Sequence, residues 1–265
     1  MKIGIIGCSG RMGQTLVSEI ITGKMAELSG GTEQKGNKSV GKDLGLIAGL
    51  EAIGIRATDN NEELVKNSDA IIDFSTPESS VKCAELCAKH KKIHVIGTTG
   101  FSDSQKKELS LLAEETTIIW SPNMSIGVNV VLDIVEKVAK TLDDSYDIEI
   151  VEMHHNQKVD APSGTALALG KAAALGRGVD LKKVEKKVRD GFTGPRKKGE
   201  IGFATLRGGD VVGDHTVIFA SNGDRIEITH KASSRVIFVK GAIRAALWAK
   251  GKKSGLYSIK DVIED

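Results

Sequence analysis

Short, β-branched, almost uncharged runs alternate with amphipathic stretches through the first half of the chain. Ile3–Ile6, Ala70–Phe74, His94–Ile96 and Thr117–Trp120 have the composition of strands buried on both faces. A further strand is predicted over Ala26–Thr32. Between the runs lie helical patterns. Gln14–Thr22 is one; Ser79–His90 carries Val81, Ala84, Cys87 and Ala88 on one face, and Ser104–Glu115 carries Leu109, Leu111, Leu112 and Ala113. Strand and helix in that rhythm predict a Rossmann-like, doubly wound α/β fold on a parallel sheet.

The rhythm changes near residue 125. Asn129–Leu142 and Ser163–Leu175 have helical spacing, and Asp147–Met153 alternates as a strand. Ile201–Leu206, Val217–Ala220 and Arg225–Thr229 follow as strands, with turn residues at Gly208-Gly209-Asp210 and Asn222-Gly223. Such turns favour antiparallel hairpins, so an α+β region with an open mixed or antiparallel sheet is expected, with Gly176–Gly199 as a surface loop. Ser234–Lys250 returns to a helical stripe of Val236, Val239, Ala242, Ile243, Ala246 and Leu247. The expected division is a dinucleotide-binding domain over 1–125, completed by 236–265, and a substrate-binding, catalytic and oligomerisation domain over 126–235.

Composition narrows the function classes. The 265 residues carry a net charge of +2, so nothing calls for nucleic acid or an anionic membrane surface as a partner. No apolar run is long enough to cross a bilayer, and the chain passes from Met1-Lys2 directly into a strand, so a cytoplasmic protein is expected. Three cysteines make no disulfide framework. Cys83 and Cys87 share a helix face, but no matching His or Cys pair is evident, and they are taken as small buried side chains with no metal.

The first chemical feature is GCSGRMG at 7–13, between the first strand and first helix. Gly7, Gly10 and Gly13 permit a tight turn and a close approach to a pyrophosphate, with helix N–H groups aimed at the anion. Arg11 adds a charged donor. Glu33, ending the second strand, stands where an acid takes the adenine ribose hydroxyls. Glu33 favours NAD, whereas Lys35 nearby offers a partner for a 2′-phosphate, so both nucleotides stay open. Loops at Gly97-Thr98-Thr99-Gly100 and Ser121-Pro122-Asn123-Met124 follow presumed parallel strands, where small and hydroxyl side chains suit a cofactor lying across the sheet edge.

The second feature is EMHHNQKVDAPSGTA at 152–166. His154 and His155 offer acid–base chemistry near neutral pH, and Lys158 a fixed positive charge. Ser163-Gly164-Thr165 opens a helix whose N–H groups suit a carboxylate or phosphate. The adjacent histidines lack an HExxH pattern or an obvious third ligand, and Ser163 lacks the GxSxG turn of a hydrolase nucleophile.

These segments, together with DFSTPE at 73–78, GTTGF at 97–101, SPNMSIGVN at 121–129, GFATLRGGDVVGDH at 202–215 and EITHKASSR at 227–235, resemble the 4-hydroxy-tetrahydrodipicolinate (dihydrodipicolinate) reductase family along nearly the whole chain. The resemblance implies an oxidoreductase of the diaminopimelate route to lysine. NADH or NADPH would reduce the cyclic dicarboxylate imine to tetrahydrodipicolinate, with loss of water from its 4-hydroxy form. It implies His154 as catalytic acid/base, Lys158 as proton donor, and His155, Gly164 and Thr165 as substrate ligands. The cofactor side would use Gly7, Cys8, Ser9, Gly10, Arg11, Met12, Glu33, Gln34, Gly97, Thr98, Thr99, Ser121, Pro122, Asn123 and Met124, and a homotetramer built through the open sheet is expected. Many members carry Arg after the acidic residue; this chain has Gln34, which weakens an NADPH preference. The rival readings are another Rossmann oxidoreductase of amino-acid metabolism, which in the semialdehyde case needs a nucleophilic Cys, and a dinucleotide-sensing regulator.

Overall fold

The computed structural model describes residues 1–265. In chain order its elements are β1 (Lys2–Ile6), α1 (Arg11–Gly23), β2 (Glu27–Thr32), α2 (Leu44–Ile47), α3 (Asn61–Asn67), β3 (Ala70–Asp73), α4 (Pro77–His90), β4 (Ile93–Ile96), α5 (Asp103–Leu112) and β5 (Thr117–Trp120). Next come α6 (Ile126–Thr141), β6 (Asp147–His154), α7 (Gly164–Gly176), α8 (Leu181–Val184), β7 (Glu185–Lys186), β8 (Ile201–Arg207), β9 (Gly213–Ser221) and β10 (Asp224–Ala232). The chain ends with α9 (Val236–Trp248), β11 (Gly255–Tyr257) and α10 (Ile259–Glu264). Two compact units result, Met1–Ile126 with Arg235–Asp265, and Gly127–Ser234.

The first unit is built on a parallel six-stranded sheet in the order β11-β5-β4-β3-β1-β2. Its central strands are buried on both faces because helices cover both. Ile3, Ile5, Ile72 and Val95 pack with Leu16 and Val17 of α1 and with Val239, Ala242 and Ile243 of α9. Ile96, Ile118, Leu109 and Val81 fill a second cluster, and Ile71, Leu64 and Val65 a third. The strand order reverses between β1 and β3, so the crevice for a ligand lies at their carboxyl ends. The added strand β11 was not foreseen: three residues of mixed exposure beside β5 leave no hydrophobic run to recognise.

The second unit carries a mixed sheet, ordered β10-β9-β6-β8-β7. β6 and β9 alternate buried and half-buried residues, and their inner face, with Ile148, Ile150, Val217 and Phe219, packs on Leu169 and Ala173 of α7 and Val135 and Ala139 of α6. β9 and β10 form the expected hairpin about Asn222-Gly223. The expectation of a second hairpin at Gly208-Gly209-Asp210 is overturned. β6 lies between β8 and β9, running parallel to the first and antiparallel to the second. The glycines instead carry the chain over the end of β6. There Gly208 N–H donates to the His154 carbonyl, Asn156 N–H to that of Gly209, and His155 N–H to that of Val211. The 176–199 segment is likewise not all loop, since it contains α8, capped by the Asp180 side chain, and β7 paired with β8.

Candidate active site

In the first unit the Gly-rich turn is shaped by close approach. Gly7 has φ +73°, a left-handed conformation that favours glycine, and its N–H donates to the Thr32 carbonyl. A Cβ on Gly13 would stand 2.2 Å from the Gly7 carbonyl oxygen, so only glycine lets α1 begin this close to the turn. Asn60, Thr76 and Ser102 cap α3, α4 and α5 with side-chain oxygens, whereas Gly10 gives α1 no side-chain cap and no acid follows in its first turn. The leading N–H groups of α1 are thus directed at whatever anion the turn receives.

Glu33 is fixed above this turn. Its Oε1 accepts from Ser9 N–H at 2.7 Å and Ser9 Oγ at 2.8 Å, and its Oε2 from Asn37 Nδ2 at 3.0 Å. A cavity of about 360 Å³ runs from Gly7, Gly10 and Glu33 to Phe74, Thr76 and Ser79, spanning the carboxyl ends of β1, β2 and β3. These residues fit a dinucleotide: a glycine cradle for pyrophosphate and an immobilised carboxylate for a ribose diol.

Not every residue expected on the cofactor side presents its side chain. Gln34, Arg11, Thr99 and Pro122 are exposed, and Met12 is partly buried against the core. Cys8 and Met124 are core side chains. The Thr98 hydroxyl accepts from Ser80 Oγ at 2.9 Å, and the Ser121 hydroxyl accepts from Ile259 N–H at 2.8 Å, binding their loops to α4 and α10. Asn123 Oδ1 takes Ser125 N–H, and Gly97 lies so close to the Phe74 ring that a Cβ would stand 2.0 Å from it. The Thr98 and Ser121 hydroxyls thus also hold their loops in place, and the side chains of Cys8, Thr98, Ser121 and Met124 are all buried.

In the second unit the chemistry gathers where β6 ends. Alternation places Glu152 and His154 on one face of the strand, both buried. His154 Nδ1 lies 2.5 Å from Glu152 Oε2. Arg207, at the end of the neighbouring β8, grips the same carboxylate with Nη1 at 2.9 Å and Nη2 at 3.0 Å, and Ser163 N–H donates to Oε1 at 3.0 Å. Burial works to raise the Glu152 pKa, but Arg207, His154 and the Ser163 N–H hold it below the ordinary carboxylate value. An anionic Glu152 takes the Nδ1 proton, so Nε2 is the nitrogen left for chemistry. Burial then pushes the His154 pKa below its usual value, against the pull of Glu152, and the Lys158 and Arg207 charges push the same way.

His215 of β9 completes the cluster, its ring edge-to-face with His154 at 5.0 Å and its Nε2 2.9 Å from Ser163 Oγ. Burial first, then the nearby His154, drives its pKa down to about 4. Ser163 Oγ also accepts from Ala166 N–H, capping α7, so Gly164 and Thr165 open that helix beside the cluster. Lys158 follows His154 in the loop and pairs with Asp160 at 2.7 Å. The structure thus brings His154, Lys158, Gly164 and Thr165 to one end of the sheet, with His155 next in the chain. Glu152, Arg207 and His215 were not picked out as site residues. The period-2 pattern of β6 offered a signal for Glu152, but Arg207 and His215 join only through strand pairing distant in sequence.

Two rival readings lose their footing. The Cys8 thiol is fully buried and pushed up to about 12, by burial and then by the Glu33 charge, so it is no nucleophile for an acyl-forming dehydrogenase. A pure dinucleotide sensor has no use for the Glu152–His154–Arg207 arrangement.

Comparison with known proteins agrees along the whole chain. The family model described as dihydrodipicolinate reductase, N-terminus, matches residues 1–124, and that for the C-terminus matches 127–263. The 4-hydroxy-tetrahydrodipicolinate reductase of Bartonella bacilliformis is 50% identical over 265 residues, covering 100% of this chain and 99% of the relative. That of Ruegeria sp. is 47% identical over 261 residues, covering 98% and 97%. Among solved structures, the dipicolinate-bound dihydrodipicolinate reductase from Paenisporosarcina sp. TG-14 superposes with a TM-score of 0.76 at 25% identity, covering 97% of each chain. A probable dehydrogenase from Thermotoga maritima, at 13% identity and TM-score 0.62 over 100% of this chain and 93% of that one, shares the fold. With both halves matched in order and full-length relatives near half identical, the chain belongs to the dihydrodipicolinate reductase family.

Proposed function

We propose that the cluster at the end of β6 supplies the acid–base chemistry of an NAD(P)H-dependent reduction. The reaction is that of the family: 4-hydroxy-tetrahydrodipicolinate goes to tetrahydrodipicolinate with loss of water, in the diaminopimelate route to lysine. The observation that carries the assignment to these residues is the buried Glu152 carboxylate. It is held by Arg207 and by Ser163 N–H and bonded to His154 Nδ1 beside the start of α7.

Bound nicotinamide supplies the hydride. Hydride addition to a conjugated imine leaves an enamine carbon that needs a proton, and Lys158 is the donor in this reading. His154, with Nε2 free of Glu152, exchanges protons with the ring and balances the charge that builds there. His155, Gly164 and Thr165 take the substrate carboxylates, the last two through the N-terminus of α7. Gly7 to Met12, Glu33, Gln34, Gly97 to Thr99 and Ser121 to Met124 hold the dinucleotide, partly through backbone groups.

Glu33 supports NADH as a cofactor at least as good as NADPH. The largely exposed β10, facing outward at the sheet edge, supports a homotetramer assembled through this sheet. No helix is long and apolar enough to cross a membrane, and a biosynthetic reductase of this kind is assigned to the cytoplasm.

A coupled assay tests the function. Purified protein is added to dihydrodipicolinate synthase turning over pyruvate and aspartate semialdehyde, and NADH absorbance is followed. Steady loss that depends on all components is expected; a flat trace with an active synthase overturns the proposal.

A further inference from the structure

A second polar cluster lies in the first unit, between α4 and the ends of β3 and β4. α4 presents Cys83 and Cys87 one helical turn apart, with their sulfurs 4.0 Å from each other. β4 adds His94, and one nitrogen of its ring lies with both sulfurs inside a sphere where every pair is within 4.8 Å. All three residues are 0% exposed, set among Ile6, Leu64, Val65 and Ile71. The carboxylate of Asp73, also fully buried at the end of β3, approaches His94 Nε2 at 3.5 Å.

This arrangement is unsatisfied as it stands. Neither ring nitrogen of His94 has a partner at hydrogen-bonding geometry, and neither has Asp73 Oδ2. Buried polar atoms without partners are rare in folded proteins, and each calls for an explanation. A cation on one ring nitrogen, with the other nitrogen donating to Asp73, satisfies these atoms. Two sulfurs each about 2.3 Å from one metal stand about 3.8–4.0 Å apart at tetrahedral to trigonal angles, the spacing found here. Histidine ligands also commonly give their second nitrogen to a carboxylate, the position Asp73 holds.

We propose that Cys83 Sγ, Cys87 Sγ and one nitrogen of His94 form a closed structural site for a thiophilic closed-shell cation, Zn²⁺ or Cu⁺. Binding releases the two thiol protons to solvent and leaves the sulfurs as thiolates on the metal. Three donors in a dry setting suffice for Cu⁺, and Zn²⁺ reaches four-coordination with a bound water, Asp73 staying behind His94 as its carboxylate partner. The metal ties α4 to β4.

The test uses the full-length protein produced with zinc and copper in the medium. Elemental analysis, read separately for the two metals, is expected to find one equivalent of zinc or copper per chain, and which metal appears identifies the occupant. Refolding with Co²⁺ alone is expected to give the near-ultraviolet thiolate-to-cobalt charge-transfer band. The Cys83→Ala/Cys87→Ala double variant is expected to lower the metal content to about a tenth or less. Wild type with neither metal nor cobalt band overturns the proposal. So does a double variant that keeps its metal, which then sits elsewhere. Should the double variant fail to fold, the cobalt spectrum of the wild type decides alone.

Discussion

His154 Nδ1 and Glu152 Oε2 are 2.5 Å apart at the end of β6, and the carboxylate that makes this contact is buried and also gripped by Arg207. The pair fixes the tautomer of the imidazole and offsets the burial that depresses its pKa. Glu152 is thus a positioning residue. Glu152→Gln is expected to lower kcat by about 100-fold, the order of a general acid–base contribution. It is also expected to move the acid limb of kcat/KM to lower pH, because His154 loses the charge that raises its pKa. A pH–rate profile checks this; a uniform loss of rate with the limb in place would mean that Glu152 only holds the fold.

Lys158 stands in a different position. It lies in the loop after β6, with its ammonium paired to Asp160 and its side chain one-fifth exposed. In the role of proton donor proposed for it, Lys158 would serve the reaction, while the nucleotide turn belongs to the other unit. Lys158→Ala is expected to reduce kcat by about 100- to 10,000-fold and to leave NADH affinity within about twofold. Calorimetric titration with NADH separates the effects; a large loss of affinity contradicts the assignment.

What the sequence made legible follows from how local each feature is. β1, β3, β4 and β5 show as almost uncharged runs because both faces are covered, and the glycines of the turn are marked by φ and close approach. Local order also displayed His154, Lys158 and the start of α7 within fifteen residues of one motif, 152–166. Pairings between distant segments were not legible. Arg207 reaches Glu152 only because β8 runs parallel beside β6, and the parallel register was hidden by turn residues that suggest a hairpin. His94 likewise meets Cys83 and Cys87 only when β4 packs against α4, so the cysteine pair looked alone. The hydroxyls of Thr98 and Ser121 also anchor their loops to α4 and α10, a role that composition alone does not reveal.

The second unit should weaken in mild acid. His215 is 4% exposed and its pKa falls from 6.5 to about 4 on folding. Between those values the unfolded chain binds the proton and the folded one does not, so stability falls as pH drops from about 6.5 to about 4. The loss amounts to about 3 kcal/mol at its fullest. Glu152, whose folded pKa is also lowered, adds to the loss as pH falls through that value. Urea unfolding at pH 7, 6 and 5 measures the slope. His215→Asn is expected to flatten it, and an unchanged slope in that variant would remove His215 as its source.

In the proposed reading, the choice of nucleotide turns on Glu33. Its carboxylate is not a mobile surface acid: Ser9 N–H, Ser9 Oγ and Asn37 Nδ2 hold it in place at the edge of the turn cavity. A fixed anion there accepts from a ribose 2′-hydroxyl and repels a 2′-phosphate. The next residue is Gln34, exposed and uncharged, which offers no guanidinium to offset that repulsion. The neighbouring cavity, which also reaches Ser9 of the turn, is lined by Lys38, Lys42 and Arg56, cations of the sign a 2′-phosphate needs. NADH is therefore expected to give a kcat/KM at least equal to that of NADPH. Glu33→Ser should shift the ratio toward NADPH by about 10-fold, since a charge contact near a protein surface is worth a few kcal/mol before screening. Steady-state kinetics with both nucleotides at two ionic strengths checks both statements. A strong NADPH preference in the unaltered chain would show that the three cations outweigh the carboxylate.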